Sequence, residues 1–484
     1  MVASLPQKPV LLHPLLRQAL RQAVEHGVTM LVRLPEPKAP RDPWELAQAA
    51  LWTGQRATIW SDPSERYAAV GVVEALRFQG RGAQRFQDLE NELKALQPRI
   101  LAHEELRSLP LWFGGFRFGG SPKEASSWAA WPDAELLTHA ITAVRAPEKS
   151  YLVLTLVVRP EDTEAGLKAQ YDHLREVLQA LRAMREEERP FDLHFDVLDS
   201  QEAWTQNIER VQRDISSNAL QKLVLARRVT ARWPESVSDI PRAARLLPAL
   251  RLMRSRYSHC TTFALARGEN DGDSIFFGST PELLIARTGE RLQTMALAGT
   301  APRGDTPEDD RHQTMELLAS SKEREEHAFV VADIVQNLAK VDIEVRAPSA
   351  PDVMTFRNVH HLCTPIHGEA PRDRGLLSVA DALHPTPAIC GTPTRDAFEW
   401  LQRHEGLDRG WYAGGVAWLN DHGDGRVNVA LRSGLAQAQG VCAYAGAGIV
   451  EGSTAEQEWK ETQAKLSPVC DAFQKDATMP PRRR

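Results

Sequence analysis

The 484-residue sequence predicts an α+β fold. Runs rich in β-branched residues, each long enough for one strand, are joined by hairpin-scale connections. A few long helical patterns interrupt them, and the regular strand–helix–strand alternation of a parallel sheet is missing. A chain of this length can bury its core as one large domain or as two or three ordinary ones.

Residues 15–32 carry apolar side chains at intervals of three and four, as on an amphipathic helix. Strand-like segments follow at 57–60 and at 111–118 (LWFGGFRF). The run YLVLTLVV (151–158) reads as a strand, and 164–189 as a long helix ending in REEER before Pro190. That charged, proline-closed stretch places a boundary near residue 195, with a less diagnostic N-terminal α/β part (1–195) before it. Beyond it, 204–217 reads as a helix and 222–233 (KLVLARRVTARW) as a strand. Residues 274–286 suggest a strand broken at a Ser-Thr-Pro turn, and 313–338 one long helix with a heavily charged first half. Strands follow at 414–419, 426–431 and 441–444. A last helix runs over 454–473, capped by Ser453 or Thr454. Residues 476–484, ending PPRRR, read as a disordered basic tail.

With 42% hydrophobic and 25% charged residues the composition is that of a globular protein. The formal net charge of −6 exerts no global pull toward nucleic acid or an anionic membrane. An anionic substrate would have to be drawn by local cations or a metal. Cys260, Cys363, Cys390, Cys442 and Cys470 are odd in number and scattered, which suggests neither a disulfide framework nor a zinc knuckle. The apolar runs are strand-sized, far from the roughly 20 residues that span a bilayer, and the N-terminus lacks a signal-peptide pattern. A soluble protein of the reducing cytoplasm fits these features.

Two segments offer paired carboxylates. Glu323 and Glu326 in SKEREEH are three apart and share a helix face. Glu458 and Glu461 in EQEWKETQAK repeat the device, with Lys465 four residues beyond Glu461. Two helices can thus each supply an inner and an outer carboxylate to one site. Oxygen ligands without a His/Cys cluster suit a hard cation such as Mg²⁺, which keeps several waters while bridging to an anionic substrate. Charged helix segments are more often solvated faces, and spacing alone leaves both readings open.

Nine segments follow one another in a family-like order. They are KLVLARR (222–228), GSTPELL (278–284), LAGTAPRG (297–304), LLASSKEREEH (317–327), HHLCTPI (360–366), HPTPAICG (384–391), RGWYAGG (409–415), ALRSG (430–434) and YAGAGIVEGSTAEQEWKETQAK (444–465). Through them the chain resembles the chorismate-binding enzymes: isochorismate and salicylate synthases and the large subunits of anthranilate and aminodeoxychorismate synthases. The resemblance implies one large domain of two stacked antiparallel sheets flanked by helices, with a catalytic region over 200–475 and the site at one edge of the stack. It implies Glu326 and Glu461 as Mg²⁺ ligands, with Glu323 and Glu458 as outer carboxylates holding the metal's waters. Lys222 matches the family's base and Glu282 its acid, for addition of water at ring carbon 2 of chorismate with loss of the carbon-4 hydroxyl. Glu282 must then stay protonated, and crowding by substrate or metal-site carboxylates would raise its pKa.

The resemblance assigns the rest of the pocket as well. The ring carboxylate is expected on Mg²⁺. Arg432 with Tyr412 matches the clamp on the enolpyruvyl carboxylate, a group that a guanidinium fork suits. Gly446 and Gly448 match positions where backbone N–H groups approach substrate oxygens, a mere bulge being the alternative. His361 matches a ring-contacting histidine, and Gly299 and Thr300 a loop near the carbon-4 hydroxyl. Lys465 would pair with the acidic cluster or a substrate carboxylate. Ala298 stands where aminodeoxychorismate synthases carry a lysine. Ala388, before Ile389, lines the pocket where ammonia-using and salicylate-forming members carry Thr or Ser. The segment WFGGFRF with Trp128 and Trp131-Pro132 is similar to isochorismate synthases of the menaquinone type. The implied activity is that of an isomerase, an isochorismate synthase working as monomer or weak homodimer without an amidotransferase subunit. Salicylate synthase and a non-catalytic chorismate-binding protein stay open as alternatives, as does service to menaquinone or to a siderophore.

Overall fold

The computed structural model describes residues 12–63, 67–119, 126–184, 191–268, 274–356 and 359–474. Two long strands organise it. Ala68–Gly80 and Ala134–Arg145 pair antiparallel along their length, with a register shift between Glu74 and Leu76. Beside the shift Val73 takes φ 59°. A bulge of this kind bends a ladder, and here the two halves of the ladder enter different layers.

From one half, the first layer runs through Ala57–Ser61, Thr261–Arg267, Ser274–Thr280, Ser433–Gln437 and Gly440–Ile449 to Lys222–Arg232. It extends the other way through Ser150–Val158 and Met30–Pro35 to Ile100–Ala102, the last pairing being parallel. From the other half, the second layer runs through Trp112–Phe116, Gly415–Leu419, Gly425–Val429, Leu283–Thr288 and Arg291–Pro302 to Val359–Glu369, antiparallel throughout. The two stacked layers are therefore parts of one continuous hydrogen-bonded sheet.

Aromatic side chains fill the space between the layers, among them Phe113, Phe116, Phe263, Phe276, Trp131 and Trp411. They meet edge to face, Trp131 and Trp411 at 4.9 Å between ring centroids and Trp128 and Phe276 at 5.2 Å. Helices Pro14–His26, Trp44–Trp52 and Glu164–Ala183 bury their apolar faces on the outside of the first layer. Arg85–Leu96, Ser321–Ala339 and Leu376–Leu383 pack on the second. Among the described residues no helix is long and apolar enough to cross a membrane.

Several elements differ from the sequence reading. The helix expected over 15–32 ends at His26, where Gly27 turns left-handed at φ 63°, and Met30–Pro35 is a strand. Leu31 faces the inter-layer core and Val32 the helices outside. A strand buried on both faces is apolar at most positions, here all but Arg33, and imitates a helix's pattern. The helix expected over 313–338 is two, Pro307–Ala319 and Ser321–Ala339. Ser320 between them is extended, and its side chain accepts from the Glu323 N–H. The last helix is Ala455–Cys470, capped by Thr454, while the Ser453 hydroxyl accepts from Val450 N. The long strands at Ala68–Gly80, Ala134–Arg145, Arg291–Pro302 and Val359–Glu369 were not read from the sequence. The REEER–Pro190 boundary and the basic tail fall outside the described residues.

Arg33 pins the strand Met30–Pro35 to the turn between Gly415–Leu419 and Gly425–Val429. Its fully buried guanidinium donates to Asp421 and to the carbonyls of Leu106 and Pro110. Asp421→Ala leaves that charge unpaired and is expected to cost roughly 3–5 kcal/mol, read as a drop in the denaturant midpoint by circular dichroism. Replacing both partners, Arg33→Met with Asp421→Leu, is expected to recover most of it.

Candidate active site

One cavity of about 390 Å³ opens at the edge of the stack, and every residue singled out in the sequence for the site lines it. Four elements frame it: the start of the Lys222–Arg232 strand, the turn carrying Glu282, and the helices Ser321–Ala339 and Ala455–Cys470. Glu282 follows Ser274–Thr280 of the first layer and precedes Leu283–Thr288 of the second, so its turn crosses between layers. The Glu282 carbonyl accepts from Val429 N and Asn428 Nδ2, both at 3.1 Å, which fixes the turn against the second layer.

The two acidic pairs face the cavity together with three lysines. Lys222 Nζ donates to Glu326 Oε1 at 2.6 Å, and Lys465 Nζ to Glu461 Oε1 at 2.6 Å and to the Gly446 carbonyl at 3.1 Å. Burial pushes the Glu326 carboxyl up, but the Lys222 ammonium beside it, with Lys322 and Lys465 further off, outweighs burial and holds it below its usual range. Glu323 Oε2 accepts from the Thr300 N–H at 3.0 Å. Glu458 is driven up, by burial first and then by Glu461.

Glu282 behaves differently. Burial raises its pKa to about 7, against the opposing pull of Lys465 and Lys222. The direction agrees with the sequence reading but the cause does not: desolvation does the work, and no neighbouring carboxylate contributes.

On the opposite wall Gly299 sits at a bulge of the Arg291–Pro302 strand with φ 78°. This turns Thr300 Oγ1 and the Gly299 carbonyl toward His361 Nδ1, at 2.9 and 3.2 Å. Burial and the nearby Arg432 and Lys465 lower the His361 pKa to about 3, so the ring is neutral. Arg432 takes φ 46°, a conformation that costs energy for a non-glycine residue and recurs at functional sites. Tyr412 stacks on Tyr444 at 5.3 Å, and Tyr444 accepts from Trp128 Nε1, so the N-terminal part reaches the site.

Gly446 and Gly448 act through the space they leave. A Cβ at Gly448 would lie 2.9 Å from Lys222 Cε, and one at Gly446 would lie 3.1 Å from the Tyr412 hydroxyl. The structure shows room for those two side chains, a role that stands beside the expected approach of backbone N–H groups to substrate.

Sequence reasoning missed Lys322, Tyr444 and Arg409, which also line the cavity. Arg409 donates to the carbonyls of Val224 and Ile389 and pairs with Glu405, tying the Lys222 strand to the Ala388 loop. Its presence in RGWYAGG was the available signal. Lys322 stands directly before Glu323.

The donor chemistry fits a hard cation, with four carboxylates from two helices facing one space. Glu458 Oε2 is buried and lacks a hydrogen-bond partner among the described residues, a group that a cation or its water would satisfy. Among the described residues no three His, Cys, Asp or Glu side chains gather closely enough to hold a metal, and Glu326 and Glu461 are paired with Lys222 and Lys465.

The pattern of the chorismate binding enzymes matches residues 18–474, and the chain belongs to that family. The relatives it resembles include isochorismate synthases. MenF of Bacillus subtilis (strain 168) is 29% identical over 466 residues, covering 94% of this chain and 96% of that one. The salicylate biosynthesis isochorismate synthase of Pseudomonas aeruginosa is 32% identical over 440 residues, covering 90% and 88%. The solved structure of MenF, the menaquinone-specific isochorismate synthase from Escherichia coli, matches at TM-score 0.75 and 25% identity, over 95% of this chain and 100% of that one. Anthranilate synthase component I from Streptococcus pneumoniae shares the fold at TM-score 0.67 and 21% identity, covering 84% and 92%, so fold alone does not select the activity.

The raised Glu282 pKa has a stability consequence. The folded chain binds this proton more tightly than the unfolded chain does, so wild-type stability falls as pH rises from 4.5 to about 7. Glu282→Gln is neutral throughout and is expected to gain about 3 kcal/mol on wild type across that window. Denaturant melts at both ends of the window measure it; parallel stability curves for the two proteins would contradict the assignment.

Proposed function

We propose that the chain is an isochorismate synthase, converting chorismate to isochorismate by adding water at carbon 2 and expelling the carbon-4 hydroxyl. One observation carries the reading: Lys222 and Glu282 face the same cavity, close enough to interact, with the Glu282 carboxyl held protonated to about pH 7 by burial. In its deprotonated form the Lys222 amine takes a proton from the attacking water. Glu282 gives its proton to the departing oxygen, so one water enters and one leaves. The guanidinium of Arg432 holds the enolpyruvyl carboxylate, with Tyr412 beside it. Thr300 and neutral His361 lie along the ring. Ala388 and Ile389 offer no hydroxyl that could orient ammonia, which supports water as nucleophile and a chain acting without an amidotransferase subunit.

Glu326 and Glu461 would hold Mg²⁺, with Glu323 and Glu458 on its waters; when bound, the ion supplies positive charge for the ring carboxylate. Lys465, bonded to Glu461 and the Gly446 carbonyl, keeps the C-terminal helix against the cavity wall. Five free cysteines agree with a cytoplasmic setting.

Incubation with chorismate and Mg²⁺, followed by chromatography, tests the assignment. Isochorismate is expected; salicylate with pyruvate, or anthranilate formed only with ammonia, would overturn it. Lys222→Ala and Glu282→Ala are each expected to slow turnover by about 10²–10⁴-fold while chorismate still binds in a calorimetric titration. Near-normal single-turnover rates in either variant would remove the acid–base pair. Because the acid must carry its proton, kcat/KM is expected to fall as pH rises through about 7. Chelation with EDTA is expected to stop turnover and added Mg²⁺ to restore it.

A further inference from the structure

Phe356 lies outside every motif that marks the site, yet it touches two of the site's side chains. The Arg432 guanidinium stands over its ring, 5.0 Å from the centroid. The His361 imidazole meets the same ring at 5.6 Å and 65°. Phe356 is only 4% exposed. Its backbone is held from both sides: its N–H donates to the Val359 carbonyl at 2.8 Å, and its carbonyl accepts from Arg303 Nη1 at 2.9 Å. Arg303 is in turn held by Asp310, which also meets His360. The ring therefore stands in a preset place.

The chemistry of the contact matters. A guanidinium can be held by its edges or by its face. A carboxylate partner within the protein would use the N–H edges; an aromatic ring uses the face and leaves the edges free. Among the described residues Arg432 has no carboxylate partner, and the hydrogen bond it makes runs to Cys260 Sγ at 3.8 Å. Its left-handed backbone and the ring beside it thus leave the guanidinium donors other than the one that meets Cys260 Sγ to face the cavity.

We propose that Phe356 is a positioning residue for the substrate's carboxylate arm, holding the Arg432 guanidinium over its ring and the His361 ring by contact so that both meet the same end of the ligand. The assignment rests on the isochorismate synthase reading in that chorismate is the ligand. Because it concerns binding and not proton transfer, its signature is a split between KM and kcat.

Phe356→Leu is expected to raise KM and Kd for chorismate by between about threefold and thirtyfold, with kcat within about twofold and the melting temperature close to wild type. Phe356→Tyr, which keeps the ring, is expected to restore wild-type values. In an Arg432→Lys background Phe356→Leu is expected to add less than about twofold, since a residue acting through another loses its effect when that other is changed. If Phe356→Leu does not fold, 3,4,5-trifluorophenylalanine at this position keeps the shape and drains charge from the ring face, and KM is still expected to rise. A fall in kcat at unchanged KM, equal impairment in the Leu and Tyr variants, additive double-variant effects, or an unaffected trifluoro protein would each overturn the proposal. Product identification with wild-type protein tests the isochorismate reading separately from these affinities. A chain that binds chorismate but makes another product loses that reading, while the calorimetric Kd series still decides the role of Phe356. Wild-type protein that binds no chorismate would end both.

Discussion

Four glutamates from two distant helices share a single cavity, and on their own they would repel one another. Lysines make that convergence possible. Lys222 belongs to the first layer of the sheet, while Glu326 rides on a helix packed against the second, so their ion pair spans the stack. Lys465 joins Glu461 on the C-terminal helix to the Gly446 carbonyl on the strand beside Lys222. The same charges that offer a seat for a hard cation and an anionic ring therefore close the edge of the fold. A metal would compete for carboxylates that are already engaged, which makes charge balance a property of the whole cavity.

Within that cavity two carboxyl groups of the same kind are driven apart. Both are pushed up by burial, but Glu326 has an ammonium in hydrogen-bond contact and ends low, whereas Glu282 feels the lysines only at a distance and ends high. Divergent environments of this sort separate a proton donor from an anionic ligand without changing the residue type. The turn that carries Glu282 can hold this position because it bridges the layers and its carbonyl is bonded to the second one.

Much of this was legible in the chain, though unevenly. The acidic pairs, the lysine at the head of its strand and the arginine among apolar neighbours stand in ordered motifs, and the structure brings all of them to one space. Phe356 and Arg409 act through packing and backbone carbonyls, for which a sequence carries no periodic sign. The breaks at Gly27 and Ser320 were within reach, since a glycine after a helical run and a serine three residues before a glutamate are ordinary helix punctuation. Apolar or charged periodicity continues across both breaks and masks them.

The α+β class, the order of the motifs, the spacing that puts two carboxylates on one helix face and the family to which the chain belongs were all written in the residues. These features are local or depend on order along the chain. That the two layers are one sheet folded at a bulge, that burial and not neighbouring carboxylates keeps Glu282 protonated, and that Gly446 and Gly448 make room for Tyr412 and Lys222 were decided only in three dimensions. Each of those depends on which distant atoms exclude water or occupy a given space, and such neighbours exist only once the chain has folded.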